Sequence, residues 1–482
     1  MNQSIGDLIK LDRNYLFFTP LDILATVFTF AVLLIFIYYR SRKNRNETYY
    51  KYLLPAFLFK VLFVLANVIY YVNYGGDTIA FWDGAVKLNN LFWSDPFAYF
   101  SELIQSPENR TIFDHFNLET GYPDSSIFNE PQSYFISKIC SIIGLFTFKG
   151  YMAISLIFAY FTTIATFRLF ELVRSYRLHS DWHLAIALFF IPSVSFWCAG
   201  ISKDTVIFVS ICYFLHHLFQ VLSRETKTRL KNWLIMLLCL YVILQVRSFM
   251  ILCLMAPLLY AWSASLVKKF KDRKFEKILT RLFFTLIIIS GFAAFFGTSL
   301  ADSFVNEASV INQDMTSNKT YGTNRYSLGE IDYSPIGMVA AAPMSILAGF
   351  YRPYIWEALS FSLLLNGIES IVLLYFTFRF FASRKIGQRI KRIRKHEFLI
   401  FAFFFAVILA YFAGFTSILF GVLVRFKAPV LPFLVIILTS HFMGERSDKR
   451  GEMSDSDTST GSMDSKLDDQ FLDDRSSMTE VQ

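Results

Sequence analysis

The segment LDILATVFTFAVLLIFIYY, residues 21–39, is followed at once by the basic segment RSRKNR, residues 40–45. A helix that crosses a bilayer needs about 20 mainly apolar residues, and the first segment has this length. Lys and Arg accumulate in cytoplasmic loops, so the basic cluster predicts that residue 39 faces the cytoplasm and that residues 1–20 lie outside. A second apolar segment, residues 52–71, then returns the chain to the outer face.

The composition of the whole chain is that of a helical membrane protein. Hydrophobic residues make up 54% of the 482 residues and charged residues only 17%, whereas soluble domains carry about 25% charged residues. The five cysteines all lie in apolar segments without CxxC spacing, which favours core packing over disulfide or metal roles. We therefore predict an all-α polytopic membrane protein.

The charge of +8 is unevenly distributed along the chain. From Glu452 onward there are nine acidic and two basic residues, so the preceding part has a surplus of about 15 positive charges, mostly in short loops. Such loops are typical of topological signals, and no basic soluble domain is present that would indicate nucleic-acid binding. The Ser- and Asp-rich tail, residues 444–482, is predicted to be disordered and cytoplasmic.

Threading the chain through a bilayer gives about eleven spans (range 10–13), with the N-terminus outside and the C-terminus inside. This arrangement places every strongly basic loop on the cytoplasmic face when residues 134–148 form an interfacial helix and residues 335–350 an interfacial or re-entrant element. The transmembrane domain then covers residues 21–443, with outer loops 73–150 and 298–358. The predicted spans are residues 21–39, 52–71, 151–172, 183–198, 205–221, 233–246, 250–266, 282–296, 360–381, 398–415 and 429–442.

Several charged side chains fall at the outer ends of these spans. Asp77 is the main candidate, because a carboxylate at the mouth of a span is costly to desolvate and is a functional candidate by default. Basic residues are not expected on this face, yet Lys203, Arg247, Arg352 and Arg425 fall on it. A shared anionic ligand would account for these four residues as a set. Local explanations stay open: pairing of Lys203 with Asp204, pairing of Arg352 with Glu357, and extension of Arg247 and Arg425 to lipid headgroups.

Four motifs together resemble the membrane-embedded C-type glycosyltransferases, which use polyprenyl-phosphate-linked sugars, and bacterial polysaccharide polymerase-like proteins. The motifs are DTIAF at residues 77–81 with Asp83 after it, NEPQSY at 129–134, PSVSFWCAGISKD at 192–204, and the element from Arg425 to Pro432.

The resemblance implies a reaction and a set of roles. Asp77 would be the general base, and Asp83 would assist it or only cap a helix. Trp82 would support the site by stacking on a sugar. The donor phosphate would be bound by Lys203, Arg247, Arg352 and Arg425, supported by Asp204 and Glu357.

The resemblance also implies the partners and the location. The donor would be a lipid-linked sugar, and the acceptor a glycan, a lipid or a protein, in a bacterial-type cytoplasmic membrane. We expect no cofactor and no dedicated metal site, although a divalent cation between Asp77 and Asp83 remains possible.

Two other classes of function remain open. A transporter or flippase for an anionic lipid or glycan would use the same arginines and would need polar groups within the membrane, for which Lys60 and Glu369 are the candidates. A non-catalytic scaffold of an envelope-assembly complex would use the acidic tail for docking.

Overall fold

The computed structural model describes residues 19–106, 111–222, 229–270, 273–296, 309, 326, 333–358, 360–417 and 419–440. Within these ranges the protein is α-helical and has no β-strand. Eight described helical segments, one of them running through residues 420–439, are long and apolar enough to cross a membrane, which supports a multi-pass, all-α membrane protein. Residues 1–18, most of the segment 298–332 and the acidic tail lie outside the described residues.

Twenty helices are numbered in chain order. They are α1 Pro20–Lys43, α2 Leu53–Tyr74, α3 Asp77–Ser94, α4 Pro96–Ile104, α5 Ser125–Phe128, α6 Pro131–Gly144, α7 Tyr151–Ser175, α8 Asp181–Phe189, α9 Pro192–Trp197, α10 Lys203–Leu222, α11 Arg229–Val246, α12 Phe249–Lys269, α13 Lys274–Phe296, α14 Pro335–Ala340, α15 Ala342–Tyr351, α16 Phe361–Phe381, α17 Ile386–Lys395, α18 Glu397–Thr416, α19 Phe420–Lys427 and α20 Leu431–Thr439.

The predicted span 183–198 is not one continuous helix. Helix α8 ends at Phe189, Ile191 is extended, and Pro192 begins the six-residue helix α9. Proline lacks an N–H and disfavours a helical conformation at the residue before it, which explains the break. Two other predicted spans, 233–246 and 282–296, are not among the eight segments. They lie in helices α11 and α13. The total of eleven spans stays a prediction.

The predicted outer loop 73–150 is largely helical rather than irregular. It contains α3 to α6, packed on a small core of its own around Leu88, Tyr99 and Tyr134. The buried carboxylate of Glu102 holds this layer together, since it accepts the Tyr134 hydroxyl at 2.8 Å and lies 2.6 Å from His115 Nδ1. Helix α6 has only 14 residues, about 21 Å, which is too short to cross a bilayer.

Helices α15 and α18 approach each other more closely than most helix pairs. A Cβ atom added at Gly349 would lie 2.0 Å from the carbonyl oxygen of Ala410, and one added at Gly414 would lie 2.0 Å from that of Ser345. Small residues of this kind let helix backbones touch, as is common inside membranes. This crossing fixes the position of Arg352, the residue that follows α15.

The basic helix ends lie together, away from Asp77. The Arg174 guanidinium lies 4.3 Å from the centre of the Tyr49 ring, Lys268 Nζ donates to the carbonyl oxygen of Lys395 at 2.6 Å, and Arg392 Nη1 donates to that of Ser440 at 3.2 Å. The opposite ends of the same helices, here called the Asp77 end, carry the candidate site.

Candidate functional site

Asp77 is positioned by a glycine pair that turns the chain between two helices. Helix α2 ends at Tyr74, and α3 begins at Asp77. Gly75 and Gly76 between them have φ angles of 74° and 128°, a region that side chains other than glycine rarely adopt. Asp77 therefore stands in the first turn of α3, where the helix dipole favours a negative charge.

Four charged side chains that are distant in sequence form one cluster at the Asp77 end. Arg425 donates from Nη1 to Asp77 Oδ2 at 3.0 Å and from Nε to Asp204 Oδ2 at 2.5 Å. Arg247 Nη1 forms an ion pair with Asp204 Oδ1 at 2.7 Å. Three of the predicted site residues, Asp77, Arg247 and Arg425, therefore lie together around Asp204. We call these four residues the Asp204 cluster.

The members of the Asp204 cluster differ sharply in exposure. The Asp204 side chain is 1% exposed and that of Arg247 9%, while Arg425 is 14% and Asp77 60% exposed. The predicted pairing of Lys203 with Asp204 was wrong, because Asp204 pairs with the two arginines. The predicted extension of Arg247 and Arg425 to headgroups was also wrong, because Asp204 holds both arginines inside the protein. Only Asp77 presents most of its carboxylate to the surroundings.

Lys203 brings a further carboxylate to this end of the molecule. Its Nζ lies 2.6 Å from Glu130 Oε1, with 13% of the lysine and 46% of the glutamate side chain exposed. Asp77 and Arg247 also act on Lys203 electrostatically, and Lys203 precedes Asp204 directly in α10. Glu130 was not among the predicted site residues, although it lies in the NEPQSY motif and Pro131 begins α6 right after it.

Arg352 lies outside the Asp204 cluster, contrary to expectation. Among the described residues it pairs with Glu357 at 3.6 Å, as the local explanation predicted, and its guanidinium covers the Tyr326 ring at 4.6 Å. Burial raises the pKa of the Tyr326 hydroxyl, which stays neutral and donates to the carbonyl oxygen of Gly414 at 2.9 Å. The backbone carbonyl oxygen of Arg352 accepts from Lys427 Nζ of α19 at 2.8 Å.

Asp83 and Trp82 are also outside the Asp204 cluster. Asp83 pairs with Lys87 at 3.4 Å. It follows Asp77 by six helical residues, about 9 Å along α3 and about 240° around it. Trp82 donates from Nε1 to the carbonyl oxygen of Lys149 at 2.6 Å and contacts Tyr151 edge to face. We therefore assign Trp82 to anchoring α3. The position of Asp83 does not support the expected assistance to Asp77, and Asp83 lies within α3 rather than capping it.

The arrangement combines a carboxylate that can accept a proton with cations that can bind an anion. Three acids (Asp77, Glu130 and Asp204) are matched by three bases (Lys203, Arg247 and Arg425). In the described part of the chain, no three His, Cys, Asp or Glu side chains lie close enough together to hold a metal ion. Comparisons of the chain with protein-family models, with curated proteins and with solved structures gave no match.

Proposed function

We propose that the protein is a membrane glycosyltransferase or glycan polymerase that takes a sugar from a polyprenyl-phosphate-linked donor. The observation that carries this proposal is the contact of the exposed Asp77 carboxylate with the buried guanidinium of Arg425. It places a candidate general base beside a candidate phosphate-binding group.

The proposal includes a membrane orientation. The basic helix ends that lie together opposite Asp77 would face the cytoplasm by the positive-inside rule. Asp77 would then lie at the outer face of a bacterial-type cytoplasmic membrane, in an eleven-span protein with its N-terminus outside. A lipid-linked donor would enter the site laterally from the bilayer, with α6 lying along its surface.

In the proposed reaction, Asp77 takes the proton from a hydroxyl of a glycan, lipid or protein acceptor. The acceptor oxygen forms a bond to the anomeric carbon of the donor sugar, the bond from that carbon to the phosphate oxygen breaks, and its electron pair leaves with the lipid phosphate. Arg425 and Lys203 stabilise the negative charge that develops on this phosphate. Asp204 and Arg247 hold Arg425 in position.

The test is sugar transfer by Asp77→Asn in reconstituted vesicles supplied with labelled lipid-linked sugars. Loss of a general base lowers the rate by about 100-fold or more. Asp83→Asn is the matched control, because it removes an equal charge from the same helix at a position paired with Lys87. Normal transfer by a folded Asp77→Asn protein would refute the proposal.

A transporter of an anionic lipid or glycan is the second candidate, and two groups inside the membrane favour it. Lys60 in α2 is fully buried, and its Nζ has no hydrogen-bond partner among the described residues. Glu369 in α16 accepts from the Ser193 hydroxyl at 2.6 Å. Ionisable groups within spans often mark a transport pathway. Loss of lipid flux in Lys60→Met, with sugar transfer absent from the wild type, would favour this candidate.

A further inference from the structure

Two cations at the Asp77 end are each covered by a more exposed carboxylate. Arg425 is largely buried while its partner Asp77 is mostly exposed, and the same holds for Lys203 and its partner Glu130. Asp204 differs from both carboxylates because it is completely enclosed between two arginines. Moving Asp77 or Glu130 away from its cation therefore requires no opening of the core.

The guanidinium of Arg425 has binding capacity that the protein does not use. Its Nε is committed to Asp204 and its Nη1 to Asp77, and its Nη2 has no partner among the described residues. A planar guanidinium binds an oxyanion best through two parallel N–H donors. An oxyanion can take this two-point position on Nη1 and Nη2 only after Asp77 has left Nη1.

The charge balance indicates which anion fits. Lys203, Arg247 and Arg425 carry three positive charges, and Asp204 cancels one of them permanently. The two remaining charges are cancelled by Asp77 and Glu130 in the unliganded protein. A sugar linked to a lipid through a diphosphate carries two negative charges, one on each phosphorus, whereas a monophosphate linkage carries one.

We propose that Asp77 and Glu130 occupy the positions of the two phosphate groups of a diphosphate-linked donor and that the donor displaces both carboxylates. This inference rests on the proposed function and specifies its donor class. It also sets an order of events. Asp77 is held by Arg425 until the donor arrives, so the general base becomes available to the acceptor hydroxyl only when the donor phosphates are bound.

The experiment measures binding of inorganic pyrophosphate and inorganic phosphate to the full chain in lipid nanodiscs by calorimetry. Asp77→Asn and Glu130→Gln each remove a competing carboxylate and are expected to bind pyrophosphate about 1.4- to fivefold more tightly, since exposed ion pairs contribute about 0.2–1 kcal/mol. The double variant is expected to combine both gains. Asp83→Asn is the control and is expected to bind like the wild type.

Two results would overturn the inference. Pyrophosphate affinities of Asp77→Asn and Glu130→Gln equal to or below that of Asp83→Asn would exclude displacement of the carboxylates. Equal gains for phosphate and pyrophosphate, without a further gain in the double variant, would exclude a diphosphate. Asp77→Ser and Glu130→Ser serve as second variants if an amide side chain impairs folding.

The failure of this inference is distinguishable from that of the proposed function. Sugar transfer by the wild type without tighter pyrophosphate binding in the variants would contradict the displacement alone. Tighter binding in the variants without any transfer by the wild type would contradict the glycosyltransferase and leave a diphosphate site.

Discussion

Asp204→Asn is expected to destabilise the protein far more than Asp77→Asn, although both variants remove one carboxylate from the same cluster. Asp204 is enclosed and pairs with two arginines at 2.5 and 2.7 Å. In Asp204→Asn, Arg425 still has Asp77 as a partner, whereas the buried Arg247 loses its ion pair with Asp204. Removing one partner of a buried ion pair costs about 3–5 kcal/mol.

The cost of Asp77→Asn is small because the Asp77 carboxylate is mostly exposed. Exposed ion pairs contribute about 0.2–1 kcal/mol, and an asparagine at the start of α3 is still compatible with the helix. The free energies of unfolding of the two variants should therefore differ by at least about 2 kcal/mol.

The assay is reversible unfolding of the purified protein in mixed micelles with increasing denaturing detergent, followed by tryptophan fluorescence. The double variant Asp204→Asn/Arg247→Met removes both charges of the Asp204–Arg247 ion pair and should recover part of the lost stability. A free energy of unfolding for Asp204→Asn within about 1 kcal/mol of that for Asp77→Asn would refute the reasoning, because the buried charge would then cost little.

Three further predictions concern parts of the fold outside the Asp204 cluster. Gly414→Ala should cost about 1–3 kcal/mol of stability and so lower the thermal midpoint, because the added methyl group meets the backbone of α15. Gly421→Ala is the control and should leave the thermal midpoint unchanged, because open space surrounds Gly421. Burial lowers the pKa of His179 to about 4, so the folded protein should lose stability as the pH falls from about 6.5 to 4, and His179→Gln should weaken this dependence in unfolding measured at several pH values. Trp82→Phe loses the hydrogen bond to the Lys149 carbonyl oxygen and should cost about 1 kcal/mol, with sugar transfer reduced far less than in Asp77→Asn.

The fold class could be predicted from the sequence, because the length of an apolar segment and the position of a basic cluster are local properties of the chain. The cluster at residues 40–45 marked the end of α1, and the basic segment 384–395 contains helix α17. The break before Pro192 was also visible in the sequence, since proline often begins a helix. It was missed because residues 183–198 were assigned as a span on their apolar character, although they are fewer than the roughly 20 residues that a span needs.

The site was predicted only in part, because its contacts depend on packing. The Arg352–Glu357 pair is five residues apart and was foreseen, whereas Arg425 and Asp204 are 221 positions apart. Adjacency in the chain suggested pairing of Lys203 with Asp204. Adjacent residues of a helix point about 100° apart, so the two side chains contact different partners.

The two carboxylates of the Asp204 cluster differ in exposure, and this difference suggests a structural role for Asp204 and a reactive role for Asp77. Asp204 cannot reach a substrate, and neutralising it disturbs two arginines at once, so its expected effect is on the fold and on the position of Arg425. Asp77 has the opposite properties, since it can leave Arg425 without exposing the core and is already open to a ligand. A nearby cation favours the ionised form of a carboxylate, so release from Arg425 makes Asp77 a stronger base. By this reasoning Asp77 is, of the four residues in the cluster, the one whose exposure suits the proposed role of general base.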